Sequence, residues 1–244
     1  MAGQVIYKIV TDGLILYLDA ANTRSYVSGT AWLDLSGNNF DGSLINGPVF
    51  SSNNGGYIRC DGTNDYIEVI DNSKLDFGSN NFSVEYWFRK LQTTTSYDNS
   101  WGVNKWNTGG SDPGTNEWTL AIGNGSSGVG NQYALSVEVG STRYSTGTSS
   151  EQLSLNVWYQ IVGIRNGGSL QTYINGELKQ NVSPIGFSSS SVINNVGRNL
   201  RISNSAQNAN YTRVDNAIIR VYNKALSSDE VLRNYNSQKL RFGL

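Results

Sequence analysis

Along residues 82–88 the apolar side chains Phe82, Val84, Tyr86 and Phe88 alternate with Ser83, Glu85 and Trp87. That two-residue period is the signature of a strand with one face toward a core. Leu14-Ile15-Leu16-Tyr17-Leu18-Asp19 is apolar almost throughout and suits a strand buried on both faces. Shorter runs predict strands at 57–60, 66–69, 117–122, 132–139, 157–165 and 192–198. Residues 169–182 read as a hairpin turning at Asn175-Gly176, because both central positions of a type I′ turn need positive φ. A last alternating run begins at Val214 and leads to the one well-signalled helix. Ser227-Ser228-Asp229-Glu230 forms a capping box, with Val231, Leu232 and Tyr235 on one apolar face behind it.

Two polar stretches interrupt this pattern. Residues 20–46 predict an ordered loop around Trp32-Leu33-Asp34-Leu35-Ser36-Gly37-Asn38, and residues 91–116 a long exposed loop that keeps Tyr97, Trp101 and Trp106. With no internal repeat or linker, the expected organisation is an arm at 1–12, one domain at 13–239 and a tail at 240–244. The 27 glycines, 3 prolines and 11% aromatic residues agree with many strands joined by turns. The net charge of −1, without Lys or Arg runs, builds no positive field for nucleic acid or anionic lipid. A single cysteine, Cys60, forms no intrachain disulfide, and the absence of histidine removes the usual zinc chemistry. Any metal would be oxygen-ligated. The first residues carry no basic and apolar signal pattern and no stretch approaches membrane-spanning length, so synthesis in a cytoplasm without export or membrane insertion is expected.

Three ordered motifs, Gly13-Leu14-Ile15-Leu16-Tyr17-Leu18-Asp19-Ala20, Trp32 to Asn38, and Asp61-Gly62-Thr63-Asn64-Asp65-Tyr66-Ile67, resemble the opening of a laminin-G-like domain of the concanavalin A-like lectin and glucanase superfamily. Phe82 to Trp87, Trp158-Tyr159, Tyr173-Ile174-Asn175-Gly176 and the closing segment to Tyr235 continue it in order. The resemblance implies an all-β jelly-roll sandwich of two antiparallel sheets with one short C-terminal helix. A stand-alone domain of this kind is also similar to virion proteins of tailed bacteriophages. That implies a decorating or structural module of the virion, made in the host cytoplasm, with other virion proteins or copies of itself as partners. Unpaired edges and the arm would supply strand-addition contacts.

Three chemistries are open on this scaffold, which by itself does not fix function. The Glu-x-Asp-x-x-Glu string that the resemblance implies for a glucanase is absent, and Glu68, Glu85 and Glu138 stand as isolated strand carboxylates, so no catalysis is expected. Asp34, Asn38 and Asp41, with Asp215, would supply hard oxygen ligands to calcium, as the resemblance also implies; the same Asx side chains suit capping of their own turns. Tyr97, Trp101, Asn104 and Trp106 would pair indole faces with amide donors against a cell-surface glycan, or staple their loop to the sandwich. The expectation is a non-catalytic virion module with glycan-adhesive capacity; the alternatives are a carbohydrate-binding, lectin-like adhesin and a glycoside hydrolase.

Overall fold

The apolar run near the start becomes β1 (Leu14–Asp19), followed by β2 (Ala31–Trp32), β3 (Gly42–Ile45), β4 (Val49–Ser51), β5 (Tyr57–Asp61), β6 (Tyr66–Val69) and the long β7 (Phe82–Lys90). The middle of the chain supplies β8 (Trp101–Asn104), β9 (Trp118–Ala121), β10 (Ala134–Val139), β11 (Thr142–Ser145) and β12 (Trp158–Asn166). A hairpin of β13 (Ser169–Ile174) and β14 (Glu177–Val182) precedes β15 (Leu200–Ile202), β16 (Arg213–Tyr222) and helix α1 (Ser228–Gln238). This computed structural model describes residues 7–93, 101–106, 114–123, 132–147, 149, 151–205 and 211–244.

The strands form two antiparallel eight-stranded sheets. The first runs β14-β13-β12-β7-β16-β5-β4, with β1 pairing the far half of β16; the second runs β11-β10-β9-β8-β15-β6-β3-β2. Between them lies the main core, where Leu18, Trp32, Phe82, Trp118, Leu135 and Ile219 are buried. This is the sandwich that the alternating pattern predicts. Asn175 and Gly176 have φ of 52° and 83°, as the hairpin turn requires. Cys60 lies in the core, where burial pushes its thiol up to about 12, so it stays protonated and unreactive.

The alternation along β7 has an outcome that a half-solvated strand would not show. Phe82, Val84, Tyr86 and Phe88 enter the main core, but Ser83, Glu85 and Trp87 are also fully buried, beneath the C-terminal elements. Tyr235 of α1 stacks on Trp87 at 5.8 Å, and Phe242 of a 3₁₀ turn (Lys239–Phe242) stacks on it at 4.6 Å. Arg241 pairs with Asp19 at 2.7 Å and donates to the Asn54 carbonyl at 2.7 Å. Arg241 and Phe242, within the expected tail 240–244, therefore close the outer face of the first sheet. From the other end Val10 is buried, its amide donating to Asn234 Oδ1 at 2.8 Å, so the described part of the arm packs on its own helix.

The capping box is present in full: Glu230 N donates to Ser227 Oγ at 3.2 Å and Ser227 N to Glu230 Oε2 at 2.9 Å. Val231 is buried, whereas Leu232 is 44% exposed, which narrows the apolar face that the spacing suggests. Replacing Ser227 with alanine is expected to cost about 1 kcal/mol of stability in a urea titration. An unchanged midpoint would mean that packing on Trp87 alone holds the helix.

Besides the short strands β4 and β11, three stretches differ from expectation. The polar segment 20–46 contributes β2 and β3, and the expected loop 91–116 contains β8, an inner strand of the second sheet. Residues 192–198 are irregular, and the strand near them is β15. There the Asn194 side chain exchanges two hydrogen bonds with the backbone of Gly140, at 2.8 and 2.9 Å, and Gly197 takes a φ of 66°, both turn chemistry.

Candidate functional site

On β10, β9, β15 and β6 of the second sheet, residues that enter the core alternate with residues on the opposite face. Val137 and Leu135 flank Ser136, Trp118 and Leu120 flank Thr119, Leu200 and Ile202 flank Arg201, and Ile67 and Val69 flank Glu68. The register then aligns the outward positions into one row: Ser145 opposite Ser136, then Thr119, Asn104, Arg201, Glu68 and Ser43. A polar line thus crosses the outer face of this sheet. No single segment of sequence displays it.

The Arg201 end is the accessible part of that row. Arg201 Nε donates to Glu68 Oε2 at 2.9 Å and Nη1 to Asn204 Oδ1 and the Ser205 carbonyl at 3.0 and 3.1 Å. Its guanidinium lies 4.6 Å from the Tyr66 ring centre, and Tyr66 and Tyr211 stand 6.3 Å apart. Glu68, Arg201, Arg198 and Asn199 line an adjoining cleft of about 290 Å³, with Val196 and Gly197 on its wall. Asn199 is fixed by the Asp71 amide, which donates to its Oδ1 at 2.9 Å. The group combines a half-exposed aromatic surface with fixed donors and acceptors, the pairing that binds a sugar ring by its apolar face and its hydroxyl edge.

Of the expected glycan residues, Tyr97 lies outside the described residues. Trp101 and Trp106 do not form an exposed platform: they are buried at 9% and 7% exposure. The Trp101 amide donates to Thr212 Oγ1 at 3.0 Å, and the Arg143 guanidinium covers Trp106 at 5.4 Å. Asn104 is fully buried and supports the row from beneath, donating to the Asn204 carbonyl at 2.8 Å and the Arg201 carbonyl at 3.3 Å. Trp101 and Asn104 therefore hold the backbone beside Tyr211 and at Arg201, and Trp106 lies under Arg143. The sequence reading missed Tyr66, Glu68, Arg201 and Tyr211 as a group. Alternation of Tyr66 and Glu68 with Ile67 and Val69 was the available signal, but Arg201 joins them only through strand pairing.

Of the expected calcium residues, Asp34, Asn38 and Asp41 share one loop, and Asp215 lies apart from them. Asp34 spends both oxygens on its own turn: Oδ1 accepts from the amides of Tyr17 and Ser36 at 2.8 and 2.9 Å, and Oδ2 from Ser36 Oγ at 2.6 Å and Phe40 N at 3.1 Å. Asp41 Oδ1 accepts from the Asp34 amide at 2.8 Å, and Asn38 Oδ1 is taken by the Lys74 ammonium at 2.6 Å. Asp215 is buried between Arg59 and Arg89, each at 2.6 Å. Tyr17, whose amide Asp34 holds, pairs with Arg220, five residues or roughly 16 Å along the strand from Asp215. With Asp215 apart between two guanidinium groups, Asn38 Oδ1 on an ammonium, and Asp34 and Asp41 accepting from amide and hydroxyl donors, the four do not form a divalent-cation site. Where acidic side chains do converge, Asp71, Asp76 and Glu117 surround the buried Lys105 ammonium instead.

The strand carboxylates are likewise engaged. Glu85 is fully buried against Arg220 at 2.9 Å, not solvated; Glu68 pairs with Arg201; and Glu138 accepts from the amides of Gly114 and Asn116 at 3.1 and 2.7 Å.

Residues 61–232 match a laminin-G family model of the Concanavalin A-like lectin/glucanases superfamily. The chain belongs to that superfamily. Among solved structures it is similar to the binding domain of Paraclostridial Mosquitocidal Protein 1, at 18% identity and a TM-score of 0.70, covering 93% of this chain and 52% of that one. It is also similar to the botulinum neurotoxin serotype D ligand binding domain in complex with N-acetylneuraminic acid, at 20% identity and a TM-score of 0.70, covering 96% and 54%. A third is Domain 4 of AbnA, a GH43 extracellular arabinanase from Geobacillus stearothermophilus, in complex with arabinotriose, at 16% identity and a TM-score of 0.66, covering 91% and 98%. The chain thus spans about half the length of the two toxin domains and nearly all of the arabinanase domain. At these identities the likeness is one of fold. No curated protein matches the sequence.

Proposed function

We propose that this protein is a non-catalytic, lectin-like carbohydrate-binding module whose ligand lies on the outer face of the second sheet. The observation that carries the reading is the Tyr66–Arg201–Glu68 group, an aromatic surface beside a fixed ion pair at the accessible end of a polar row. Two fold relatives, solved with N-acetylneuraminic acid and with arabinotriose, support a saccharide as the ligand class. Engagement of Glu68, Glu85 and Glu138 by donors of the same chain supports binding without bond cleavage. The virion reading, with other virion proteins or copies of the chain as partners, rests on sequence resemblance alone, and the sugar chemistry is independent of where the module is mounted.

A glycan array probed with the full chain, followed by calorimetry on the best ligand, tests the reading. Tyr66→Ala and Arg201→Ala are each expected to weaken binding about tenfold or more while the fold persists by circular dichroism. Unchanged affinity in both variants would reject this face.

A further inference from the structure

A second cleft lies at the end of the first sheet where β1 and β7 begin, β12 and β16 end and α1 starts. It encloses about 1140 Å³ and meets a smaller cleft of about 480 Å³ at Asn38. Asparagines line it from separate turns: Asn80 and Asn81 before β7, Asn166 after β12 and Asn223 after β16. An asparagine at a strand end ordinarily caps its own turn. Asn81 does something of this kind, its Oδ1 accepting from the Gly167 amide at 2.7 Å, which leaves its Nδ2 free to turn toward the cleft. Asn80, Asn166 and Asn223 do not: they are exposed, and no described residue bonds their side chains.

The charged residues that line the cleft balance, Lys74 and Lys224 against Asp76 and Glu230. Lys224 Nζ sits between Asp12 Oδ2 at 2.7 Å and Glu230 Oε1 at 2.9 Å, Asp76 pairs with Lys105, and Lys74 Nζ donates to Asn38 Oδ1. Such a surface offers little net attraction to an anion or a cation. Leu14 and Ala225, both partly buried, give its wall apolar area. Each primary amide presents two donors and an acceptor on one rigid plane, the complement of neighbouring hydroxyls on a sugar. The volume exceeds what one small-molecule pocket commonly encloses, roughly 300–1,000 Å³.

We propose that this amide-lined cleft is a second saccharide site, distinct from the Tyr66 face, that takes an uncharged, hydroxyl-rich oligosaccharide. The free amides of Asn80, Asn166 and Asn223 grip hydroxyls while the Leu14 and Ala225 surface meets the apolar faces of the rings. It stands independently of the Tyr66 face, since no residue is common to the two.

Side-chain amide resonances of the ¹⁵N-labelled full chain, assigned through single Asn80→Ala, Asn166→Ala and Asn223→Ala variants, provide the test. Arabinotriose, cellotriose and maltotriose serve as uncharged probes at millimolar concentration and N-acetylneuraminic acid as the charged one. At least one trisaccharide is expected to shift the three amides saturably, an Asn80→Ala/Asn166→Ala double variant to weaken that titration about tenfold, and Tyr66→Ala to leave it unchanged. Absence of saturable shifts with all three trisaccharides overturns the site. A midpoint for N-acetylneuraminic acid as low as for the best trisaccharide overturns the ligand class. Loss of ligand-induced shifts at the Tyr66 face alone counts against that face and leaves the cleft standing.

Discussion

Arg220→Met is expected to cost this domain about 3–5 kcal/mol of its stability, the cost of leaving a buried charge without its partner. That is a large fraction of the roughly 5–15 kcal/mol available to an ordinary domain. Arg220 and Glu85 face away from the main core, and both side chains are fully buried. Burial opposes the Arg220 charge, but the Glu85 carboxylate and the Tyr17 phenol outweigh it and hold the guanidinium above its ordinary pKa. Glu85 is the hub of the packing beneath α1. Its Oε1 accepts from Arg220 Nη1, Trp87 Nε1 and Gln160 Nε2, each at 2.9 Å, and its Oε2 from Asn234 Nδ2 at 2.8 Å. Asn234 in turn accepts from the Val10 amide, so helix, sheet and arm share one polar junction. Methionine fills much of the arginine volume and supplies no charge, which isolates the electrostatic part. A Glu85→Met/Arg220→Met double variant is expected to lose less than the sum of the two single losses, since removing both charges removes the desolvation each required, although Trp87, Gln160 and Asn234 then lack their Glu85 acceptor. Urea titrations of the four proteins measure this. A loss under about 1 kcal/mol in Arg220→Met, or losses that simply add in the double variant, would show that the pair is not coupled.

Glu85 also shows how far alternation carries a sequence reading. The period along 82–88 identifies the strand and the core side chains, yet the same pattern places Glu85 and Trp87 in solvent. Their cover is α1 and the 3₁₀ turn at Lys239–Phe242, more than 140 residues away in sequence, and local periodicity does not show which sheet face receives a distant helix. Length is a second obstacle. β2, β4 and β15 have two or three residues, too few for a period to stand out from turn chemistry. Trp101 and Trp106 illustrate a third. In a polar segment an indole is equally consistent with a platform and with an anchor, and only the pairing of β8 with β9 and β15 decides for the anchor. The candidate site was half legible: Tyr66 and Glu68 alternate with core residues in a strand the sequence predicts, whereas Arg201 reaches Glu68 across 133 residues. The Asx loop around Asp34 was read correctly as ordered, and its carboxylates turn out to hold the turn itself together. Capping chemistry and calcium chemistry draw on the same side chains at the same spacing, so composition alone does not separate them.

The positive charge that the sequence reading sought from a metal is supplied elsewhere, by Lys105, and its removal carries the second large expected effect. Lys105 Nζ is fully buried, 2.7 Å from Asp71 and 2.9 Å from Glu117, with Asp76 as a third partner. Burial lowers its pKa, but the carboxylates, Glu117 foremost, overcome this and hold it above the ordinary lysine value. A folded pKa above the unfolded one means that the ammonium's contribution is complete at neutral pH and lost only in strong alkali. Glu117 is raised above its ordinary value by burial, and the Lys105 charge is the main influence lowering it. In Lys105→Met that influence disappears, three carboxylates face one another, and Glu117 moves further up. A carboxyl group raised in the folded state favours folding below its unfolded pKa and loses that contribution as pH rises through the folded value. The variant is therefore expected to lose about 3–5 kcal/mol at pH 7 and to regain much of it as the pH falls toward the ordinary glutamate range near 4.5. Paired melts of wild type and Lys105→Met across pH 4 to 8 check the sign. A deficit that stays constant with pH would assign the role of Lys105 to the packing of its aliphatic stem, which methionine largely preserves, and would remove the electrostatic account.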